Sequence, residues 1–282
     1  MAEQTSNREK IVYQGEPGAY SEIACMTFAP EFEAIPCGTF EEVLRAVQQG
    51  EAARAMLPIE NSLAGRVGDL HYLLPQSDLH IIAEHFLAIR HQLLGVKGTK
   101  LEDIKTVRSH AMALGQCRGV IAEQNLRAEI AGDTAGAGKR LAELGYKDEG
   151  VIASARAAEI YNLDILKENV EDAGHNTTRF IQMAPEPMDT DPANGPVVTS
   201  FIFQVRNIPA ALFKALGGFA TNGVNMSKLE SYQLDGSFSA TMFYADIEGH
   251  PEDRAVAMAF EELGFFSSSL KILGVYHSAR KR

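Results

Sequence analysis

From residue 11 to about residue 185, short apolar runs of strand length alternate with stretches whose apolar residues recur every three to four positions. The first pattern predicts β-strands and the second amphipathic helices. The spacing gives a strand at 11–14, a helix at 20–28, a strand at 34–36, a helix at 40–49 and a strand at 54–59. An extended run at 81–89 follows, then strand 106–109, helix 111–124, strand 127–130, helix 134–144 and strand 150–153. Such alternation predicts an α/β fold, here with two lobes and a cleft at the carboxyl ends of their strands. Residues 185–196 carry four prolines, which no helix interior or central strand accepts, so they read as a linker. Beyond it the pattern is strand 199–205, helix 210–222, strands 226–232 and 237–247, helix 252–263 and strand 270–276. That order is βαββαβ, the ferredoxin-like arrangement, with Asp235-Gly236 as its hairpin turn.

The 282 residues suit more than one domain, and 45% hydrophobic with 22% charged residues is ordinary globular composition. Apolar runs stay strand-sized, well short of the roughly 20 residues of a membrane helix. The first ten residues are polar with no signal-like apolar core, so a cytoplasmic location is expected. A net charge of −11 argues against nucleic-acid partners, and three cysteines without CxxC spacing read as reduced thiols.

Motif screening removes several chemistries. The run from Asp133 to Lys139 lacks the first glycine of a P-loop and is followed by Arg140 in place of Ser or Thr; its dinucleotide pattern fails at Leu141. It reads as a helix start with small residues, where a carboxylate could settle beside Lys139. The eight histidines show no metal-ligand spacing, no GxSxG elbow occurs, and neither metal nor cofactor is expected. What remains is a set of polar islands at predicted strand ends: Gly15 to Glu22, Pro58 to Ser62, Ser109-His110 and Asn176 to Phe180. Singly, each has a packing explanation, such as Ser21 and Ser62 as helix caps or Arg179 as a surface ion pair. In an α/β cleft they converge.

These islands resemble the ordered motifs of bacterial prephenate dehydratases over residues 11–276. Gly15-Glu16-Pro17-Gly18-Ala19-Tyr20-Ser21 is similar to G-x-x-G-[TA]-[FY]-S, and Pro58 to Ser62 to P-x-E-N-S. Ser109 to Cys117 resembles S-H-x-x-A-L-x-Q-C, and Asn176 to Phe180 resembles [NT]-x-T-R-F, while Ala111-Met112 departs from the usual Pro-Gln. The resemblance implies a two-lobed, periplasmic-binding-protein-like (type II) catalytic domain at 10–185, with lobes 10–86 plus 176–185 and 87–175. It also implies prephenate as substrate. Thr178 is the implied donor to the leaving hydroxyl, Arg179 the grip on the pyruvyl carboxylate, and Glu60 or His110 the proton source. Ser21, Asn61, Ser62, Ser109 and Thr177 would orient the substrate, and Phe180 would face its ring.

Residues 197–278 resemble an ACT domain, an amino-acid-binding module. Pro209-Ala210-Ala211-Leu212 stands where the family has G-A-L, and Glu230-Ser231-Tyr232-Gln233 where it has E-S-R-P. The resemblance implies a phenylalanine site at Ala210, Ala211, Leu212, Asn225, Glu230 and Ser231, and a homodimer or dimer of dimers. Arogenate dehydratase, whose substrate carries an amino group in place of the ketone, and a non-enzymatic small-anion sensor stay open at this point.

Overall fold

The computed structural model describes residues 8–206, 208–233 and 240–280. The first seven residues and the Asp235-Gly236 turn lie outside the described residues. In chain order the elements are β1 (Lys10–Gln14), α1 (Tyr20–Phe28), β2 (Glu33–Cys37), α2 (Phe40–Gln48), β3 (Arg54–Asn61), the short β4 (Gly65–Arg66), α3 (Gly68–Leu73) and β5 (His80–Ala88). Then come β6 (Gln92–Gly95), β7 (Thr106–His110), α4 (Ala111–Gln116), α5 (Arg118–Glu123), β8 (Arg127–Ala131), α6 (Thr134–Leu144), β9 (Glu149–Ala153), α7 (Ala155–Tyr161), β10 (Asp164–Lys167) and β11 (Thr177–Ala184). The last third holds β12 (Val197–Val205), α8 (Ala211–Thr221), β13 (Met226–Gln233), β14 (Ala240–Glu248), α9 (Arg254–Phe266) and β15 (Ser267–His277).

The chain divides into two units: Met1–Val67 with Phe86–Phe180, and Gly68–His85 with Ile181–Arg282. The strands before residue 185 form two sheets, one for each of two lobes. One sheet runs β2-β1-β3-β11-β5, with parallel pairing of β1 to β2 and β3; the other runs β10-β6-β9-β7-β8. Each lobe has its own core. Ile11, Tyr13, Met56 and Phe180 are buried under α1 in one, while Leu93, Val107, Leu114, Val120 and Ile152 cluster in the other. The single helix expected at 111–124 breaks at Cys117, whose backbone leaves helical geometry (φ −126°, ψ 32°). The break is held open because Asp172 accepts from the backbone N–H groups of Arg118 and Gly119 at 2.9 and 2.8 Å.

The second unit has the βαββαβ order, with sheet order β13-β14-β12-β15 and helices α8 and α9 over a phenylalanine-rich core of Phe201, Phe203, Phe219 and Phe243. Residues 68–85, expected in the first lobe, are grouped with this unit, although β5 at their end pairs in the sheet with β11. His71, 1% exposed, sets its ring edge-on to Tyr232 and Tyr244, and Lys271 Nζ donates to the carbonyls of Pro75 and Ser77 at 3.1 and 2.5 Å. Among the described residues no helix is long and apolar enough to cross a membrane.

Candidate active site

The end of β3 and the start of β11 are neighbours in one sheet, and their loop ends are fastened together. Ser62 N–H donates to the Thr177 carbonyl (2.8 Å), Thr177 N–H donates to Ser62 Oγ (3.0 Å), and Ser62 Oγ donates to the His175 carbonyl (3.0 Å). This clasp brings Glu60, Asn61, Thr178 and Arg179 together, and it commits the Ser62 hydroxyl to the backbone instead of to a substrate. Thr177 points its own hydroxyl at the His175 carbonyl.

Asn61 organises the group. Its Oδ1 accepts from the backbone N–H groups of Leu63 and Ala64, both at 2.9 Å, which leaves Nδ2 to donate to Asn176 Oδ1 (2.8 Å) and Thr178 Oγ1 (3.0 Å). The amide orientation is therefore fixed by its backbone partners. A hydroxyl that accepts from Asn61 keeps its own proton to donate. Thr178 is 9% exposed.

Three residues outside the sequence-based expectation extend this network. Gln116 Nε2 donates to Asn61 Oδ1 (3.3 Å), and Gln116 Oε1 accepts from Asn176 Nδ2 (2.9 Å) and lies 3.0 Å from His91 Nε2. His91 Nδ1 lies 2.8 Å from the Tyr20 hydroxyl. Burial lowers the His91 pKa from its ordinary 6.5, against the Gln116 hydrogen bond and the Glu171 carboxylate, so the ring is neutral near pH 7. Gln116 Oε1 can only accept, so the neutral ring carries its proton on Nε2, and Nδ1 accepts from Tyr20. Gln116 stood inside the S-H-x-x-A-L-x-Q-C resemblance, but His91 and Tyr20 become visible as partners only through the fold.

Other expected residues take different tasks. Arg179 is 3% exposed and its Nη1 lies 3.0 Å from Glu60 Oε1. This ion pair braces β11 against β3. Ser109 is fully buried and donates to the Ile152 carbonyl at 2.5 Å, which joins β7 to the sheet and removes the hydroxyl from substrate contact. Phe180 is 1% exposed within the first lobe's core, so it faces no ring. His110 caps α4: its Nδ1 accepts from Met112 N–H at 3.3 Å, which leaves Nε2 as the nitrogen able to donate. Ser21 is buried in the first turn of α1.

The glycine-rich opening motif is an inter-lobe joint. Gly18 has φ +92°, and a Cβ there would lie 2.8 Å from Ala157 Cα, so only glycine fits. Its carbonyl accepts from Ser154 Oγ (2.6 Å), and the Pro17 carbonyl accepts from the Tyr161 hydroxyl (2.7 Å). Lys139 pairs with Glu16 at 3.1 Å, and Asp133 accepts from Gly136 N–H at 2.6 Å, so the helix start read as a place for a carboxylate is already neutralised.

Beside Gln116 opens a pocket of about 380 Å³ between Leu63 and Ala64 of one lobe and Ala111, Met112, Gly115 and Arg118 of the other. In the second unit, Ala210 adopts φ 61° before α8, Ala211 is buried and Leu212 packs against the core. The Asn225 carbonyl accepts from Glu248 N–H, Glu230 pairs with Lys228 at 3.2 Å on the outer strand β13, and Ser231 is exposed there.

Residues 11–188 match the prephenate dehydratase family. A bifunctional N-acyl-homoserine lactone acylase/prephenate dehydratase of Komagataeibacter europaeus is 50% identical over 271 residues, 96% of each chain. Arogenate dehydratase/prephenate dehydratase 1 of Arabidopsis thaliana is 40% identical over 96% of this chain and 72% of its own length. The crystal structure of prephenate dehydratase from Arthrobacter aurescens in complex with L-Phe superimposes with a TM-score of 0.88 at 30% identity, covering 97% of this chain and 91% of that one. Family match, whole-length relatives and shared fold place this chain in the prephenate dehydratase family.

Proposed function

We propose that this chain converts prephenate to phenylpyruvate, carbon dioxide and water, and that its βαββαβ unit is an ACT-like sensor of phenylalanine. In the reaction the C–C bond to the ring carboxylate breaks, its electron pair moves through the diene, and the C–O bond to the ring hydroxyl breaks, so that the ring becomes aromatic. Aromaticity supplies the driving force; the protein supplies orientation and a donor for the departing oxygen. The observation that carries the reading is the hydrogen bond from Asn61 Nδ2 to Thr178 Oγ1, which turns the threonine proton outward. A threonine hydroxyl is too weak an acid to work alone, so the proton taken up by the leaving hydroxide is relayed through it from a stronger acid, for which His110 and Glu60 are the candidates. Glu60, tied to Arg179, holds the β3–β11 pair in place.

Thr178→Ala lowers kcat for prephenate by at least about ten-fold, while Thr178→Ser retains more activity. Normal turnover by Thr178→Ala removes this mechanism. Arogenate, assayed beside prephenate, decides the substrate preference. The phenylalanine proposal is supported by the L-Phe complex of the Arthrobacter relative and by the shared βαββαβ order. Pairing of such units implies a homodimer or dimer of dimers.

The name of the Komagataeibacter relative favours a second reading, hydrolysis of N-acyl-homoserine lactones. Amide hydrolysis needs an activated nucleophile, whereas donation from Asn61 into Thr178 Oγ1 makes that oxygen a better donor and a poorer nucleophile. The same variants assayed for release of homoserine lactone separate the two.

A further inference from the structure

Prephenate carries two carboxylates, and the cleft must supply a cation for at least one. The basic side chains around the two lobes are mostly committed. Arg179 pairs with Glu60, Lys139 with Glu16, Arg90 with Glu171, Arg156 with Glu159 and Arg140 with Glu149. Arg118 differs. Its backbone N–H binds Asp172, but among the described residues its exposed guanidinium has no hydrogen bond or ion pair, and it lines the 380 Å³ pocket beside Gln116. Asp172 lines the same pocket, with both carboxylate oxygens turned to the backbone N–H groups of Arg118 and Gly119. Two apolar side chains line the pocket from opposite lobes, Leu63 (40% exposed) and Met112 (45% exposed). Two hydrogen bonds join this pocket to the threonine, Gln116 to Asn61 and Asn61 to Thr178.

We propose that Arg118 grips the pyruvyl carboxylate of the substrate, with Leu63 and Met112 as the walls that hold its ring. This assignment rests on the dehydratase reading and replaces Arg179 in the role that the motif resemblance implied. The choice between the two carboxylates follows from the chemistry. The ring carboxylate loses its charge as it leaves as carbon dioxide, so a guanidinium on it would stabilise the ground state more than the transition state. The pyruvyl carboxylate keeps its charge throughout, so a cation there binds substrate and transition state alike. Removing it therefore raises KM and leaves kcat nearly alone. The planar, forked guanidinium also grips a carboxylate better than an ammonium does.

The test is initial-rate kinetics on the full chain with prephenate, for wild type, Arg118→Gln, Arg118→Lys and Thr178→Ala, with phenylpyruvate as product inhibitor. Arg118→Gln raises KM about ten-fold or more with kcat changed less than about three-fold, and Arg118→Lys falls between. Phenylpyruvate retains the pyruvyl carboxylate and lacks the ring one, so its inhibition constant rises in parallel with KM. A KM that rises while that constant stays put assigns Arg118 to the ring carboxylate and overturns the proposal. An unchanged KM in Arg118→Gln, with Thr178→Ala inactive, also overturns it and leaves the dehydratase reading standing. No prephenate turnover by wild type ends both. Arg118 is exposed and its backbone contacts survive substitution, so equal thermal midpoints confirm that folding is intact.

Discussion

His91 shows how one protonation state can hold a whole polar network in register. A second proton would go to Nδ1 and reverse the contact there, so that the Tyr20 oxygen, 2.8 Å away, accepts from the ring. Tyr20 would have to turn its proton wholly to the Arg90 carbonyl, also 2.8 Å away. Because burial lowers the folded-state pKa below the ordinary 6.5, the unfolded chain binds this proton more readily. The contribution of the neutral ring to stability is complete above about pH 6.5 and is lost as pH falls through the lower folded-state value. His85 is lowered for the same reason and in the same direction, so it adds to the acid sensitivity of wild type. Thermal unfolding at pH 7.5 and 5.5 should show a smaller pH-dependent drop in His91→Asn than in wild type. Equal drops would mean that the ring does not titrate in the way its burial implies.

At the scale of elements, the strand and helix alternation was legible because period-2 and period-3.6 patterning is local. The break at Cys117 was not, because the carboxylate that caps α5 comes from Asp172, far along the chain. Helix α3 was missed for a related reason: six residues with a buried histidine look like a loop until Tyr232 and Tyr244 arrive to cover that ring. The motif resemblance marked Asn61, Thr178, Phe180 and Ser109 alike, but it could not show that Phe180 packs in the core or that the Ser109 hydroxyl is bonded to the Ile152 carbonyl, because both depend on distant strands. Ala210 illustrates the opposite case, a departure from the motif that the structure explains. It stands at the glycine of G-A-L and is held at φ 61° ahead of α8, its carbonyl accepting from Lys214 N–H at 2.9 Å. A left-handed conformation costs a residue with a Cβ about 1–2 kcal/mol, partly offset by the greater unfolded-state entropy of glycine. Ala210→Gly should therefore stabilise the C-terminal unit by about 0.5–1 kcal/mol in urea denaturation. A midpoint that stays put or falls would show that the turn carries no strain.

For the whole molecule, the three places where the chain passes between units are Val67–Gly68, His85–Phe86 and Phe180–Ile181, and all lie close in sequence to site residues or to the strands that carry them. β11 carries Thr178 and Arg179 near its start and runs on into the second unit. β3 ends with Glu60 and Asn61, and after the short β4 the chain enters α3. There Tyr72 donates from its hydroxyl to the Gln233 carbonyl at 2.9 Å and lies against the Tyr232 ring, one residue beyond the Glu230-Ser231 pair assigned to phenylalanine. A displacement of β13 on effector binding would thus be felt by α3, which is covalently continuous with the strand holding Asn61. Coupling needs an element that both sites bias, and contact with β13 together with chain continuity to β3 makes α3 the element to test. Tyr72 is 46% exposed, so Tyr72→Phe removes the hydrogen bond with little cost to packing. Expected is a variant that turns over prephenate like wild type and binds phenylalanine by calorimetry, yet responds to phenylalanine with a several-fold weaker change in rate, coupling energies being typically about 1–3 kcal/mol. If Tyr72→Phe and wild type show the same dose-response curve, the coupling runs through other elements, with β11 the next to probe.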